Sequence, residues 1–317
     1  MTTTLAQLTT LGVGGPVDRF VETASQAELI DAVRAADDAG DPLLVLGGGS
    51  NVLVGDDGLD GVVVRDARTD LAQTDASACA GTTLVVPAGV PWVRVVDYAV
   101  ANGLSGVEAL AGIPGSAGAT PVQNVGAYGQ EVAQTIASVR VWDRARREVR
   151  TLPLADLRFG YRTSLLKASM RPGPGDAAVW GPTPRYVVLE VTFQLRKESL
   201  SRPVAYPELA RTLGVAVGQR APLADVRAAV LTLRAGKGMV LDPTDPDTRS
   251  AGSFFTNPVL DATTAAALPS GAPRFETPDG RVKTSAAWLI SHAGFAKGHG
   301  LPGPAALSTK HVLALTN

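Results

Sequence analysis

The sequence is poor in cysteine and histidine. A single thiol, Cys79, excludes an internal disulfide. The three histidines, His292, His299 and His311, lie near the C-terminal end and form no H-x-x-x-H pair. With one cysteine beside them, no metal centre is expected. No apolar run approaches the roughly 18 residues of a membrane span, and the start, MTTTLAQLTTLGVGG, has neither the basic end nor the apolar core of a secretory signal. The expected setting is therefore cytoplasmic, without membrane insertion. Net charge is −1, so the basic excess of a general nucleic-acid binder is absent. A local pocket of Arg and Lys for a small polyanion remains compatible with that total. No repeat of fixed period occurs.

What is present is an ordinary core-forming composition. Apolar residues make up 45% and charged residues 19%, enough for a buried interior. At 317 residues the chain is long enough for about two domains. Ser25-Gln-Ala-Glu28 forms a capping box, and Leu29, Ile30, Val33 and Ala36 recur at helical spacing up to Gly40. PLLVL (42–46), VLV (52–54), GVVVRD (61–66), TTLVVPAG (82–89) and YVVLEVTFQL (186–195) have strand character, as does HVLAL (311–315). PWVRVVDYAVANG (91–103) opens with proline and closes with glycine, as helices do. Residues 137–153 predict a hairpin turning near Asp143–Arg146, and 154–167 a helix that becomes irregular. Residues 170–185 predict a surface loop, and 221–238 and 285–295 amphipathic helices. The character changes near 200–205.

Two segments stand apart. GGGSN (47–51) follows a strand but lacks both the G-x-G-x-x-G spacing and the Lys-Ser/Thr of a Walker loop. AGIPGSAGATPVQNVGAYGQ (111–130) holds five glycines and no charge, too poor for helix or strand and too apolar for a free linker. A lone glycine turn is most often only a tight turn. Two neutral, glycine-lined segments together suit a pyrophosphate and a flat ring gripped by main-chain N–H groups.

VLGGGSNVLV (45–54), EALAGIPGSAGATPVQNVGAYGQE (108–131), FGYRTS (159–164) and SAGSFFTNP (250–258), in this order, closely resemble the UDP-N-acetylenolpyruvoylglucosamine reductase (MurB) family over nearly the whole chain. The resemblance implies an α+β fold. Residues 1–203 would form a two-part FAD-binding domain of the vanillyl-alcohol-oxidase (PCMH) type, split near 66–80. Residues 204–317 would form a smaller α+β substrate-binding domain. It further implies non-covalent FAD, NADPH as reductant, and reduction of the enolpyruvyl ether of a UDP-sugar to UDP-N-acetylmuramate for peptidoglycan synthesis. A monomer is expected.

The cofactor residues this implies are Gly47, Gly48, Gly49, Ser50, Asn51, Gly112, Ile113, Pro114, Gly115, Ser116, Gly118, Ala119, Gln123, Asn124 and Gly126. Arg162 corresponds to the catalytic arginine; taken alone, an arginine is more often a surface ion-pair partner. Ser253 corresponds to the proton donor; taken alone, it is more often a turn cap. Tyr128, Tyr206, Lys237, Asn257 and Lys283 are the implied substrate contacts, with Tyr206 in RPVAYPEL marking the first of two family types. Lys237 also suits a helix C-terminus, and Asn257 a plain turn.

One departure stands out. The family's third catalytic group, a glutamate in an L-x-P-E-V stretch, has no counterpart before Asn317, and Glu276 and Asp279 lie in no matching motif. The expectations are therefore an active reductase, a fragment, or an impaired binder of FAD or UDP-sugar. The flavin-binding half is untouched by the departure. A related oxidase with covalent FAD would need a histidine in the flavin half, which has none.

Overall fold

A computed structural model describes residues 3–77, 81–171 and 180–317. Cys79 and residues 172–179 of the anticipated surface loop lie outside the described residues.

The first layer is a three-stranded parallel sheet in the order Val17–Thr23, Leu59–Asp66, Leu43–Val45. The helix Gln26–Ala39 connects its outer strands. Its start is fixed by Ser25, whose hydroxyl accepts the Glu28 N–H at 3.2 Å, and its end by Gly40 at φ 73°. Leu29, Val33 and Ala36 bury its inner face against Val62 and Val64. The same cluster takes in Trp142, Val187 and Leu189 from the second sheet, so the two layers share a core.

The second sheet is antiparallel, in the order Glu148–Pro153, Ile136–Asp143, Tyr186–Lys197, Gly81–Pro87, Ala72–Ser77. Leu104–Ser105 adds a short pairing at the far end of the long strand. The helix Trp92–Ala101 lays Trp92, Val95, Val96 and Ala99 on this sheet beside Leu84, Val86 and Phe193. Trp92 is fully buried, and its indole N–H donates to the Leu110 carbonyl at 3.1 Å, anchoring the entrance to the glycine ribbon.

Beyond residue 203, the helices Pro207–Leu213 and Leu223–Ala235 pack Leu209, Ala210, Val226 and Val230 into this same core. Residues 242–317 differ. They form two small three-stranded sheets and two short helices, Ala262–Ala266 and Ala286–His292.

Three expectations change in detail. Val52–Val54 pair with no strand; Val52 and Val54 instead pack on Leu5, Val17, Leu46 and Val63. Residues 154–167 form a single 3-10 turn, Leu154–Leu157, and a four-residue helix, Leu165–Ala168, because Arg158 and Arg162 between them adopt left-handed φ values of 47° and 54°. The last strand is Ala314–Thr316 only. The strand Val17–Thr23 had no strong alternation to announce it.

Candidate functional site

The two glycine segments meet. The Ser50 hydroxyl donates to the Pro114 carbonyl at 3.1 Å, and the Asn51 amide to Gln123 Oε1 at 3.4 Å. A Cβ on Gly48 would lie 2.6 Å from the Gly115 Cα, and one on Gly47 2.7 Å from the Ser116 hydroxyl. Part of the need for glycine is thus loop against loop. Gly118 belongs to the same class, since its Cβ would lie 2.5 Å from that of Ala88.

The main chain of both segments is left with free donors. Among the described residues, the N–H groups of Gly47, Gly48, Gly49, Ser50 and Asn51 reach no protein acceptor. Neither do those of Gly112, Ile113, Gly115 and Ser116. Gly49 and Ser116 are buried. A donor unpaired away from water costs about 1–3 kcal/mol, so such a run is stable chiefly when oxygens of a ligand complete it. Two runs of free amides on touching loops fit the pyrophosphate of a dinucleotide cofactor.

Asn124 takes another part. It is 1% exposed at φ 48°, and its side chain is consumed by protein partners. The amide donates to Glu131 Oε2 at 2.7 Å and the Gly160 carbonyl at 3.2 Å, and its oxygen accepts the Ala133 N–H at 3.2 Å. It positions the ribbon and the FGYRTS loop. Arg162 completes that join, donating to the Gly126 carbonyl at 2.7 Å, while the Ser164 hydroxyl donates to Val122 at 2.6 Å.

The substrate candidates fall into two groups. Tyr128 and Tyr206 meet edge to face at 5.4 Å between centroids, and Lys237 Nζ sits 5.6 Å from the Tyr128 ring. Burial pushes the Tyr128 phenol up. Burial also works against the Lys237 charge, but its 2.6 Å bond to Glu208 and the nearby phenols outweigh that and hold its pKa above the ordinary value. His311 lies at the same corner, its pKa lowered by burial and then by Lys237 and Lys297.

In the second group, Tyr161 bridges two parts of the chain. Its hydroxyl accepts the Asn257 N–H at 3.3 Å, and its ring faces Lys283 Nζ at 5.1 Å and the Arg162 guanidinium at 5.9 Å. The Asn257 side chain itself accepts the Ala286 N–H at 3.0 Å, so it holds a helix start. Ser253 is exposed at the end of the strand Ser250–Ser253 and, among the described residues, hydrogen-bonds neither Arg162 nor Tyr161. Four residues of chain, a reach of about 14 Å, tie it to Asn257.

Sequence reasoning missed Tyr161, Glu208 and Arg234. Arg234 sits against the ribbon, with Nε 3.5 Å from where a Gly112 Cβ would be. It donates to the Met239 carbonyl at 2.9 Å, its Nε is buried without a partner, and burial lowers its pKa. No carboxylate pairs with it among the described residues. A buried unpaired cation favours an anionic ligand beside it. Its only sequence signal was its position one turn before Lys237.

Residues 17–152 match the family model of an FAD binding domain, and residues 242–317 match that of the UDP-N-acetylenolpyruvoylglucosamine reductase C-terminal domain. The chain is 53% identical to the UDP-N-acetylenolpyruvoylglucosamine reductase of Thermobifida fusca, over 99% of this chain and 86% of that one. It is 52% identical to the enzyme of Cutibacterium acnes, over 99% and 79%. The crystal structure of the reductase from Thermus caldophilus superposes with a TM-score of 0.62 at 27% identity, covering 100% of this chain and 87% of that one.

Proposed function

The chain belongs to the UDP-N-acetylenolpyruvoylglucosamine reductase family, and from that premise we propose how its own residues carry the family's reaction. The activity is an FAD-dependent oxidoreduction: NADPH provides the electrons, and the enolpyruvyl ether of the UDP-sugar becomes UDP-N-acetylmuramate, a peptidoglycan precursor. Held by the main chain of 47–51 and 112–116, the flavin would supply hydride transfer between NADPH and the enolpyruvyl carbon.

The observation that carries the assignment of residues is the pair of free amide runs, at 47–51 and at 112, 113, 115 and 116. They hold the pyrophosphate, and Arg234 places positive charge beside the ribbon that lines it. Gly48, Gly115 and Gly118 keep the loops at contact distance. Asn124 and Gln123 hold the ribbon to its neighbours.

Addition of hydride to an enol ether conjugated with a carboxylate builds charge on that carboxylate. Arg162 meets it with a planar, permanently charged fork. Its left-handed backbone is fixed by the turn Gly160–Thr163, and its bond to Gly126 aims it at the ribbon. Ser253 supplies the proton to the adjacent carbon, a task for so weak an acid only because the carbon is strongly basic at that moment. Tyr128, Tyr206 and Lys237 receive the diphosphate and sugar, with Glu208 holding the ammonium between turnovers. Asn257 and Lys283 bring the C-terminal segment onto Tyr161.

We take residues 1–203 as the cofactor unit and 204–317 as the substrate unit, the first two helices of the latter packing on the cofactor unit's core, in a cytoplasmic monomer. Among the described residues no helix is long and apolar enough to cross a membrane. The deciding experiment is anaerobic stopped flow on FAD-loaded protein. NADPH should bleach the flavin, and the enolpyruvyl UDP-sugar should restore its colour. Protein that cannot be loaded with FAD, or whose reduced flavin ignores the substrate, would overturn the assignment. Sedimentation at micromolar concentration tests the monomer.

A further inference from the structure

A cavity of about 100 Å³ lies away from these groups, lined by Ser105, Gly106, Gln134, Thr135, Arg196 and Arg202, together with Gln194. Strand pairing builds it: Ser105 stands opposite Arg196 across the short antiparallel ladder. Arg202 closes it, its backbone N–H tied to Glu108 Oε1 at 3.0 Å.

Three observations make this place unusual. Ser105 is 1% exposed, yet its hydroxyl has no hydrogen-bond partner. The Arg202 guanidinium has no acceptor among the described residues. The cavity continues into a wider groove lined by Arg196, Glu198, Arg202, Pro203 and Arg220. Glu198 is the groove's one carboxylate; it pairs with Arg220 and lies 3.9 Å from Arg196. Glu108, beneath the cavity, has its oxygens engaged by the Gly106 and Arg202 N–H groups and by Gln130. With Glu108 counted, three guanidinia stand against two carboxylates, which leaves the recess one positive charge and an unpaired buried hydroxyl at its end.

We propose that this recess binds a small phosphate-type oxyanion, free or as a phosphomonoester. Arg202 and Arg196 supply charge-assisted bonds, and the Ser105 hydroxyl supplies the buried donor. The volume admits a tetrahedral oxyanion but not a nucleotide, whose remainder would have to follow the groove. The recess adjoins the Glu108–Gln130 bonds that hold the entrance and exit of the glycine ribbon together. An anion here would therefore stiffen the ribbon from behind.

The test is calorimetric titration of FAD-loaded protein with inorganic phosphate, and separately with glycerol 3-phosphate, against chloride at equal ionic strength. Saturable binding is expected, weakened roughly tenfold by Arg202→Gln and about fivefold by Ser105→Ala. Binding of both probes, or of phosphate alone, supports the recess and tells whether it admits an ester. Arg196→Gln, at an exposed position, should also weaken binding. No saturable binding beyond chloride, or binding unchanged in all three variants, would overturn the proposal.

Discussion

The cofactor half and the C-terminal region are held together by different forces. Residues up to about 235 share large apolar clusters, with Trp92, Phe193, Leu110 and Leu189 sealed from water. None of these clusters draws a residue from 242–317. The buried apolar side chains there are small or few: Ala265, Ala272, Ala286, Ala306, Leu307, Val312 and Ala314. Phe254, Phe255, Phe275 and Phe295 are about half exposed. Polar locks take over. Asp247 accepts the Thr309 N–H at 2.8 Å and its hydroxyl at 2.5 Å, Lys310 pairs with Asp245, and the buried Thr284 hydroxyl donates to Pro273 at 2.7 Å. The contrast suits a rigid platform for the cofactor and a region whose order depends on polar contacts.

The sharpest way to separate the two regions is through the chemistry. Ser253→Ala removes the proposed proton donor while leaving the platform intact. Flavin reduction by NADPH should be nearly unchanged, and reoxidation by the substrate should fall about 10²–10⁴-fold. Equal loss in both half-reactions in stopped flow would mean that Ser253 supports the fold and not the proton transfer.

The platform is best challenged at its narrowest point. Gly48→Ala forces a methyl to 2.6 Å from the Gly115 backbone, an overpacking worth about 1–3 kcal/mol. FAD occupancy, read from the ratio of flavin to protein absorbance, should drop, and the melting temperature should fall with it. Gly55→Ala, a glycine in the same loop with open space around it, should stay within about 0.5 kcal/mol of the parent.

These loops also show how far the sequence could be followed. Their glycines and lack of charge were visible in the composition, and so was the expectation that they act together. The helix Gln26–Ala39 and the hairpin Ile136–Pro153 followed from capping and alternation, which are local signals. Tyr161 and Glu208 lay inside quoted motifs, and Arg234 one turn before Lys237, but nothing local marked their roles. Tyr161 finds Asn257 across 96 positions, and Glu208 finds Lys237 across 29, so only the folded chain reveals either pair. Asn124 was legible as a site residue by resemblance, yet its buried, protein-bound side chain shows a positioning role. In 242–317 the pattern was weakest, because small buried residues and polar locks leave little periodicity.

Asp247→Asn tests whether polar locks replace a core. The substitution puts an amide donor where two donors from Thr309 already point, at a cost of about 1–3 kcal/mol. Hydrogen exchange should accelerate across 242–317 and remain unchanged in the strand Tyr186–Lys197. Uniform acceleration along the chain would erase the distinction between the regions. Asp247 also gives this region an acid limit. Burial opposes its charge, but the bonds from Thr309 and Ser308 prevail and keep its carboxyl below the ordinary value of 3.8. That stabilisation is present above the unfolded value and is lost as pH falls through the folded one.

His311 sets a milder limit at higher pH. The imidazole is half buried near Lys237 and Lys297, with Glu208 as the opposing charge, and burial leads in holding its pKa below 6.5. Above about pH 6.5 both folded and unfolded chains carry it neutral, and it costs nothing. As pH falls below that value the unfolded chain takes up the proton first, so stability drains from the folded state until the folded pKa is also passed. Exchange in residues 306–316 should therefore quicken between pH 7 and 5.5. In His311→Gln, which retains the backbone bond to Ser308, that acceleration should flatten. The effect is the smallest of the four because a partly exposed imidazole keeps some contact with water. An identical pH response in both proteins would place the sensitivity elsewhere and leave the corner formed by Lys237, Glu208 and His311 without a role in the region's order.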